Sequence, residues 1–226
     1  MRCLIVISRQ VCILVLVIGI LGMKHLDGSK MKSYVFQIPS HEISIQLPIA
    51  ESADFPKIAI HRVVDTSKIA AWDSGNSILI ADKYFDYRSG ALGATAGTLS
   101  VKVRLRKSPE EYALDLRNIE NLQQLIAKQL HDSFDKLDEV AAKNASSTRA
   151  VRLPKEFQQV ITRGAVGFKY ELGGAYDYVA YIFPISSSTY VQVQFNFIDN
   201  SHGKSSHWRK IAGQDMDAYA QSISIK

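Results

Sequence analysis

Thr98-Leu99-Ser100-Val101-Lys102-Val103-Arg104-Leu105-Arg106 decides the fold class of this chain. In an extended chain Leu99, Val101, Val103 and Leu105 share one face, and Ser100, Lys102, Arg104 and Arg106 share the other. The pattern returns in Thr189–Ile198, where Val191, Val193, Phe195 and Phe197 alternate with Tyr190, Gln192, Gln194 and Asn196. A strand buried on both faces would read as one apolar run, so strict alternation points to an antiparallel sheet with one polar face.

Working outward, Ile43, Ile45 and Leu47 alternate with Ser44 and Gln46 until Pro48, which marks another half-buried strand. Lys57–Val64, Ser77–Tyr87, Phe157–Thr162 and Gly167–Leu172 are further strand expectations. Asp177–Pro184 and Thr189–Ile198 flank Ile185-Ser186-Ser187-Ser188 and form a hairpin. Asp73-Ser74-Gly75-Asn76 is a turn signal, and Gly90–Gly97 reads as a flexible loop.

The period changes at Ser108-Pro109-Glu110-Glu111, where Ser108 suits an N-cap, Pro109 the first helical position and Glu111 the capping-box position. Ile119, Leu122, Ile126, Leu130, Phe134, Leu137 and Val140 then recur every three or four residues, which predicts an amphipathic helix to about Lys143, or two in succession. A last helix over His207–Ile223 places Trp208, Ile211, Ala212, Met216, Tyr219 and Ile223 on one stripe. The expected fold is α+β, a mainly antiparallel sheet packed by a long central helix and a C-terminal helix.

The N-terminus reads MRCLIVISRQVCILVLVIGILGM, with Arg2 and Arg9 ahead of an apolar run from Val11 to Met23. That is a charged region followed by a short hydrophobic region, as in a secretory signal peptide or a signal anchor. The run is shorter than the ~20 residues of a spanning helix, which favours cleavage. Ile20-Leu21-Gly22 is an imperfect cleavage site, so anchoring in the inner membrane stays open. Residues 24–33 are expected to be a tether and 34–226 a single domain. The expected location is periplasmic, soluble or membrane-anchored.

Both cysteines, Cys3 and Cys12, lie in this leader, so the rest can form no disulfide and offers no thiolate. The chain holds 27 basic and 22 acidic residues. The leader contributes Arg2 and Arg9 and no acid, so the remainder has 25 basic against 22 acidic, a net +3. That is too little for a dedicated nucleic-acid binder.

No established catalytic, metal or cofactor motif is present, and no enzymatic activity or cofactor is expected. Asp199, His202 and His207 match no zinc spacing. Ser201-His202-Gly203-Lys204 has the S-x-x-K form but lacks its companion motifs. Asp82 and Asp86 would lie about 13 Å apart along a strand, beyond the ~9.5 Å of a glycosidase pair, and are read as solvated. The residues suited to a protein partner are the basic stripe Lys102, Arg104 and Arg106, the tyrosines Tyr176, Tyr178 and Tyr190, and the loop residues His202, Lys204 and His207.

A leader, an Ile43-Ser44-Ile45-Gln46-Leu47-Pro48 strand, a central helix, and the hairpin from Tyr181-Ile182-Phe183-Pro184 into Tyr190–Phe195 follow in order. A Trp-led final helix then ends in Ser222-Ile223-Ser224-Ile225. Over roughly residues 36–225 this order resembles the PsbP/DcrB-like domains of exported or membrane-attached proteins. The resemblance implies an α/β sandwich and a non-enzymatic binding role. Related envelope proteins are immunity proteins against toxins delivered by neighbouring bacteria, as through type VI secretion. The expected function is therefore an immunity protein that occludes a toxic effector. The alternatives are an accessory subunit of an envelope complex and an envelope hydrolase using Ser201, His202 or His207.

Overall fold

The computed structural model describes residues 30–56, 60, 62–67, 76–88, 94–144, 153–174, 177–200 and 207–226, without the side chains of 135–144. The expected leader and most of the expected tether lie outside them. Among the described residues no helix is long and apolar enough to cross a membrane.

Strands β1 (Met31–Ile38) and β2 (His41–Pro48) form a hairpin in register from Met31 opposite Pro48 to Ile38 opposite His41. A two-residue strand, β9 (Ser224–Ile225), pairs with β2 to complete a three-stranded sheet. β1 was not among the expected strands, and it takes in residues 31–33 of the expected tether. Its own alternation explains it, because Tyr34, Phe36 and Ile38 are buried between exposed neighbours.

The larger sheet has six strands in the order β3-β4-β8-β7-β6-β5, all antiparallel. They are β3 (Ser77–Arg88), β4 (Thr95–Lys107), β5 (Gln158–Thr162), β6 (Ala165–Leu172), β7 (Tyr178–Pro184) and β8 (Thr189–Asp199). The two alternating stretches that announce the fold, β4 and β8, lie side by side as its second and third strands.

Two helices complete the described fold, α1 (Ile119–Asn144) and α2 (His207–Gln221). α2 and the small sheet cover one face of the large sheet. Phe36, Ile43, Ile45 and Leu47 meet Val101, Val103, Val193 and Phe195, together with Trp208, Ile211 and Met216 of α2. α1 lies on the opposite face, where Leu122, Leu125, Ile126, Leu130 and Phe134 pack on Phe168, Tyr170, Leu172, Ala180, Ile182 and Tyr190. The result is an α+β domain dominated by antiparallel sheet.

Three expectations need correction. α1 starts at Ile119 rather than after Ser108. Its cap is Asn118, whose Oδ1 accepts the Glu120 N–H at 2.8 Å while its carbonyl accepts the Leu122 N–H at 3.1 Å. Residues 108–116 are held instead by the β7–β8 turn, since Ser108 and Leu116 donate their N–H groups to the carbonyls of Ser188 and Ser187. The Leu116 bond takes a donor that a helix begun at Ser108 would have used internally.

The expected strand at 57–64 is absent among the described residues. Val63 makes only an isolated parallel bridge to Gln37. The expected loop at 90–97 is strand from Thr95 onward. Gly97 serves close approach rather than flexibility, because a Cβ there would lie 2.3 Å from the Trp208 ring.

Candidate functional site

The register of β3, β4 and β8 assembles one polar surface. Lys102 stands opposite Asp82 on one side and Gln194 on the other. Ser100 lies between Tyr84 and Asn196, and Arg104 is opposite Gln192. Cross-strand partners point to the same side of a sheet, so all these side chains share the face on which α1 lies.

They are bonded in sequence. Arg106 donates to Gln192 Oε1 at 2.8 Å, Gln192 to Gln194 at 3.1 Å, and Gln194 to Asn196 at 2.6 Å. Asn196 then donates to Ser100 at 3.4 Å, and Ser100 to Asp82 at 3.5 Å, two longer links. Asp82 also accepts the Tyr84 hydroxyl at 3.0 Å and lies 3.6 Å from the Lys102 ammonium. At the outer end the Phe55 ring stacks on Tyr84, with centroids 4.2 Å apart and planes 2° from parallel. Burial pushes the Tyr84 hydroxyl above the ordinary tyrosine range, and the Asp82 carboxylate adds to that.

α1 forms one wall. Its Gln129 and Ser133 border a cleft of about 160 Å³ whose floor includes Arg106, Gln192 and Gln194, with Tyr178 at the side. Tyr190 anchors that wall by donating its hydroxyl to Gln129 Oε1 at 3.0 Å. Burial holds the Tyr190 proton more tightly than usual, against the opposing effect of Arg106. The surface thus offers the half-buried side chains of Lys102, Arg104, Arg106, Gln194 and Asn196 beside the Phe55–Tyr84 pair, while Asp82, Ser100 and Gln192 are buried and hold them in place.

Of the residues singled out from sequence, Lys102, Arg104, Arg106 and Tyr178 come together here. Tyr190 does too, but it is fully buried and closed to a partner. His207 is exposed at the start of α2, which packs on the other face. Tyr176, His202 and Lys204 lie outside the described residues. Asp82 is buried and hydrogen-bonded rather than solvated, and Asp86 accepts the Thr98 hydroxyl at 2.9 Å. Among the described residues no three His, Cys, Asp or Glu side chains are grouped to hold a metal ion.

Sequence reasoning missed Gln192, Gln194, Asn196, Tyr84 and Phe55 as members of this surface. The alternation of β8 marked its polar face, but only the register sets Gln194 against Lys102. No protein-family model matches the chain, and neither a curated protein nor a solved structure shows significant similarity to it.

Proposed function

We propose that this chain is a non-enzymatic binding protein of the cell envelope whose polar β3-β4-β8 face recognises a protein partner. In its most specific form it is an immunity protein that occludes a toxic effector. The observation that carries the reading is the bonded chain from Arg106 through Gln192, Gln194, Asn196 and Ser100 to Asp82 and Tyr84. Side chains already held in one arrangement lose little freedom on association, so less of the contact energy is offset by ordering. Arginine and tyrosine are also the residues enriched where partners meet. The order of elements, similar to PsbP/DcrB-like domains, and the leader support the envelope setting.

The test is to challenge cells producing the chain with the effector encoded beside its gene, and to measure the complex in vitro. Survival and a tight one-to-one complex are expected. Arg104→Glu combined with Lys102→Gln is expected to weaken the complex at least ten-fold, with the circular dichroism spectrum unchanged. Neither protection nor binding would remove the immunity reading. A complex indifferent to both substitutions would move the interface off this face.

A further inference from the structure

Lys83 lies on the side of β3 away from the polar face. On β3 it alternates with Asp82 and Tyr84 and therefore points to the opposite side, shared with Ala81 and Phe85 of the apolar core. Its side chain is only 7% exposed. The ammonium bonds both carboxylate oxygens of Glu51 at 3.0 Å, and Glu51 is itself 19% exposed. Withdrawing a lysine from water into a core is costly even when it is paired, and packing alone favours an apolar residue there.

What lies in front of Lys83 supplies a use for it. A cavity of about 510 Å³ is walled by Lys83, by Lys32, Tyr34 and Val35 of β1, and by Arg62. Three cations line it, and no carboxylate is among the described lining residues. Lys32 and Arg62 are exposed, and neither has an ion pair among the described residues. The Lys32 ammonium sits 5.5 Å from the centroid of the Tyr34 ring, over the inward side of β1.

The edge of β1 adds a neutral donor. Gln37 donates its N–H outward to the Arg62 carbonyl at 2.7 Å and accepts the Val64 N–H at 2.8 Å. Alternate residues of a strand present their backbone groups to the same edge, so the Val35 N–H points that way as well. Three cations against the single carboxylate of Glu51 leave a net positive field, with rigid backbone beside it. Charge-assisted hydrogen bonds to an oxyanion are the strong kind that such an array makes.

We propose that this cavity is a binding site for a phosphate group, held between Lys32, Arg62 and Lys83. Its volume exceeds that of bare phosphate and leaves room for a substituent on the phosphorus. A soluble phosphate monoester and a phospholipid headgroup share that chemistry.

The test uses the full chain at constant ionic strength maintained with chloride. One arm titrates inorganic phosphate and glycerol phosphate by calorimetry. The other measures sedimentation with phosphatidylcholine vesicles, with and without phosphatidylglycerol. Saturable binding is expected, weakened at least ten-fold by Lys32→Gln with Arg62→Gln, two exposed positions whose change leaves the fold intact. Lys83→Gln is a second variant, accepted only if its melting temperature remains near that of the parent, and it is expected to weaken binding likewise. Soluble binding that the double variant loses assigns a small-molecule source. Binding only to phosphatidylglycerol vesicles, lost in the same variant, assigns a headgroup. No binding in either arm, or binding unchanged in the double variant, overturns the site.

Discussion

The two halves of one sheet face solve the same problem differently. Over β6 and β7, Phe168, Tyr170, Leu172 and Ile182 present apolar surface, and α1 covers it. Over β3 and β4 the half-buried Lys102 and Arg104 lie beside the buried Asp82 and Ser100, and hydrogen bonds and an ion pair satisfy much of that polarity. Apolar area leaves water at about 25 cal/mol per Å², so it draws a helix onto itself. Groups that have already paired with one another gain little more from a lid. A sheet face divided in this way is covered by a helix over one half and internally bonded over the other.

The largest effect expected from that division is in the covered half. Phe168 is fully buried and meets the Phe157 ring edge-on at 5.2 Å. Phe168→Ala should cost about 3–5 kcal/mol in denaturant unfolding, whereas Gln194→Ala in the polar half should cost about 1–2 kcal/mol, through the Gln192 amide it leaves unpaired. Equal losses at the two positions would break the comparison and make the polar half structural.

On the far face, which α2 covers, Gly97→Ala should destabilise by about 1–3 kcal/mol through overpacking. Its Cβ would meet the Trp208 ring at 2.3 Å. Trp208 packs near Tyr87 and Phe197, so its fluorescence should shift together with the lost stability. A neutral result would mean that α2 can slide off β4 without loss.

The same covered face sets an alkaline limit. Burial, with smaller contributions from Tyr219 and Asp215, pushes the Tyr87 hydroxyl far above its ordinary value of 10.0, and it donates to Asp215 at 2.8 Å. Tyr181 and Tyr219 are raised as well, by burial first and then by Asp217 and Asp215 respectively. The folded chain keeps protons that the unfolded chain releases near pH 10. Stability is therefore fully present below about pH 10 and falls as pH rises above it. Tyr87→Phe should cost roughly 1.5 kcal/mol at neutral pH through its lost bond to a carboxylate, and should flatten that alkaline slope. An unchanged slope would place the titrating groups elsewhere.

The smallest effects concern where α1 begins. Asn118→Ala should cost about 1 kcal/mol as a lost N-cap, and Ser108→Ala only a few tenths, as a surface change away from any cap. Thermal melts of the two variants sharpen the contrast, and the reverse order would return the cap to Ser108.

Those two residues also show how far the sequence was legible. Ser108-Pro109-Glu110-Glu111 carries every local sign of a helix start, yet the Ser108 N–H bonds the Ser188 carbonyl of a turn 80 residues away, and the Leu116 N–H, which a helix there would use internally, bonds that of Ser187. Local propensity cannot register a competitor so distant in the chain. Gly97 shows the same limit, since its small size reads as flexibility until Trp208 is seen against it. At the candidate site, Lys102, Arg104 and Arg106 were visible because alternation marks a polar face. Gln194 and Tyr84 were not, because nothing local says which residue stands opposite.

Alternation every second residue along β4 and β8, and the three-to-four spacing in α1 and α2, determined the α+β class, the inward residues and a polar sheet face. These follow from side-chain direction, which each segment sets for itself. Tertiary structure alone decided the strand order, the half of the face that α1 covers, and the meeting of Asp82, Lys102 and Gln194. Register and layer packing are contacts between distant segments, and their free energy exists only once those segments are assembled.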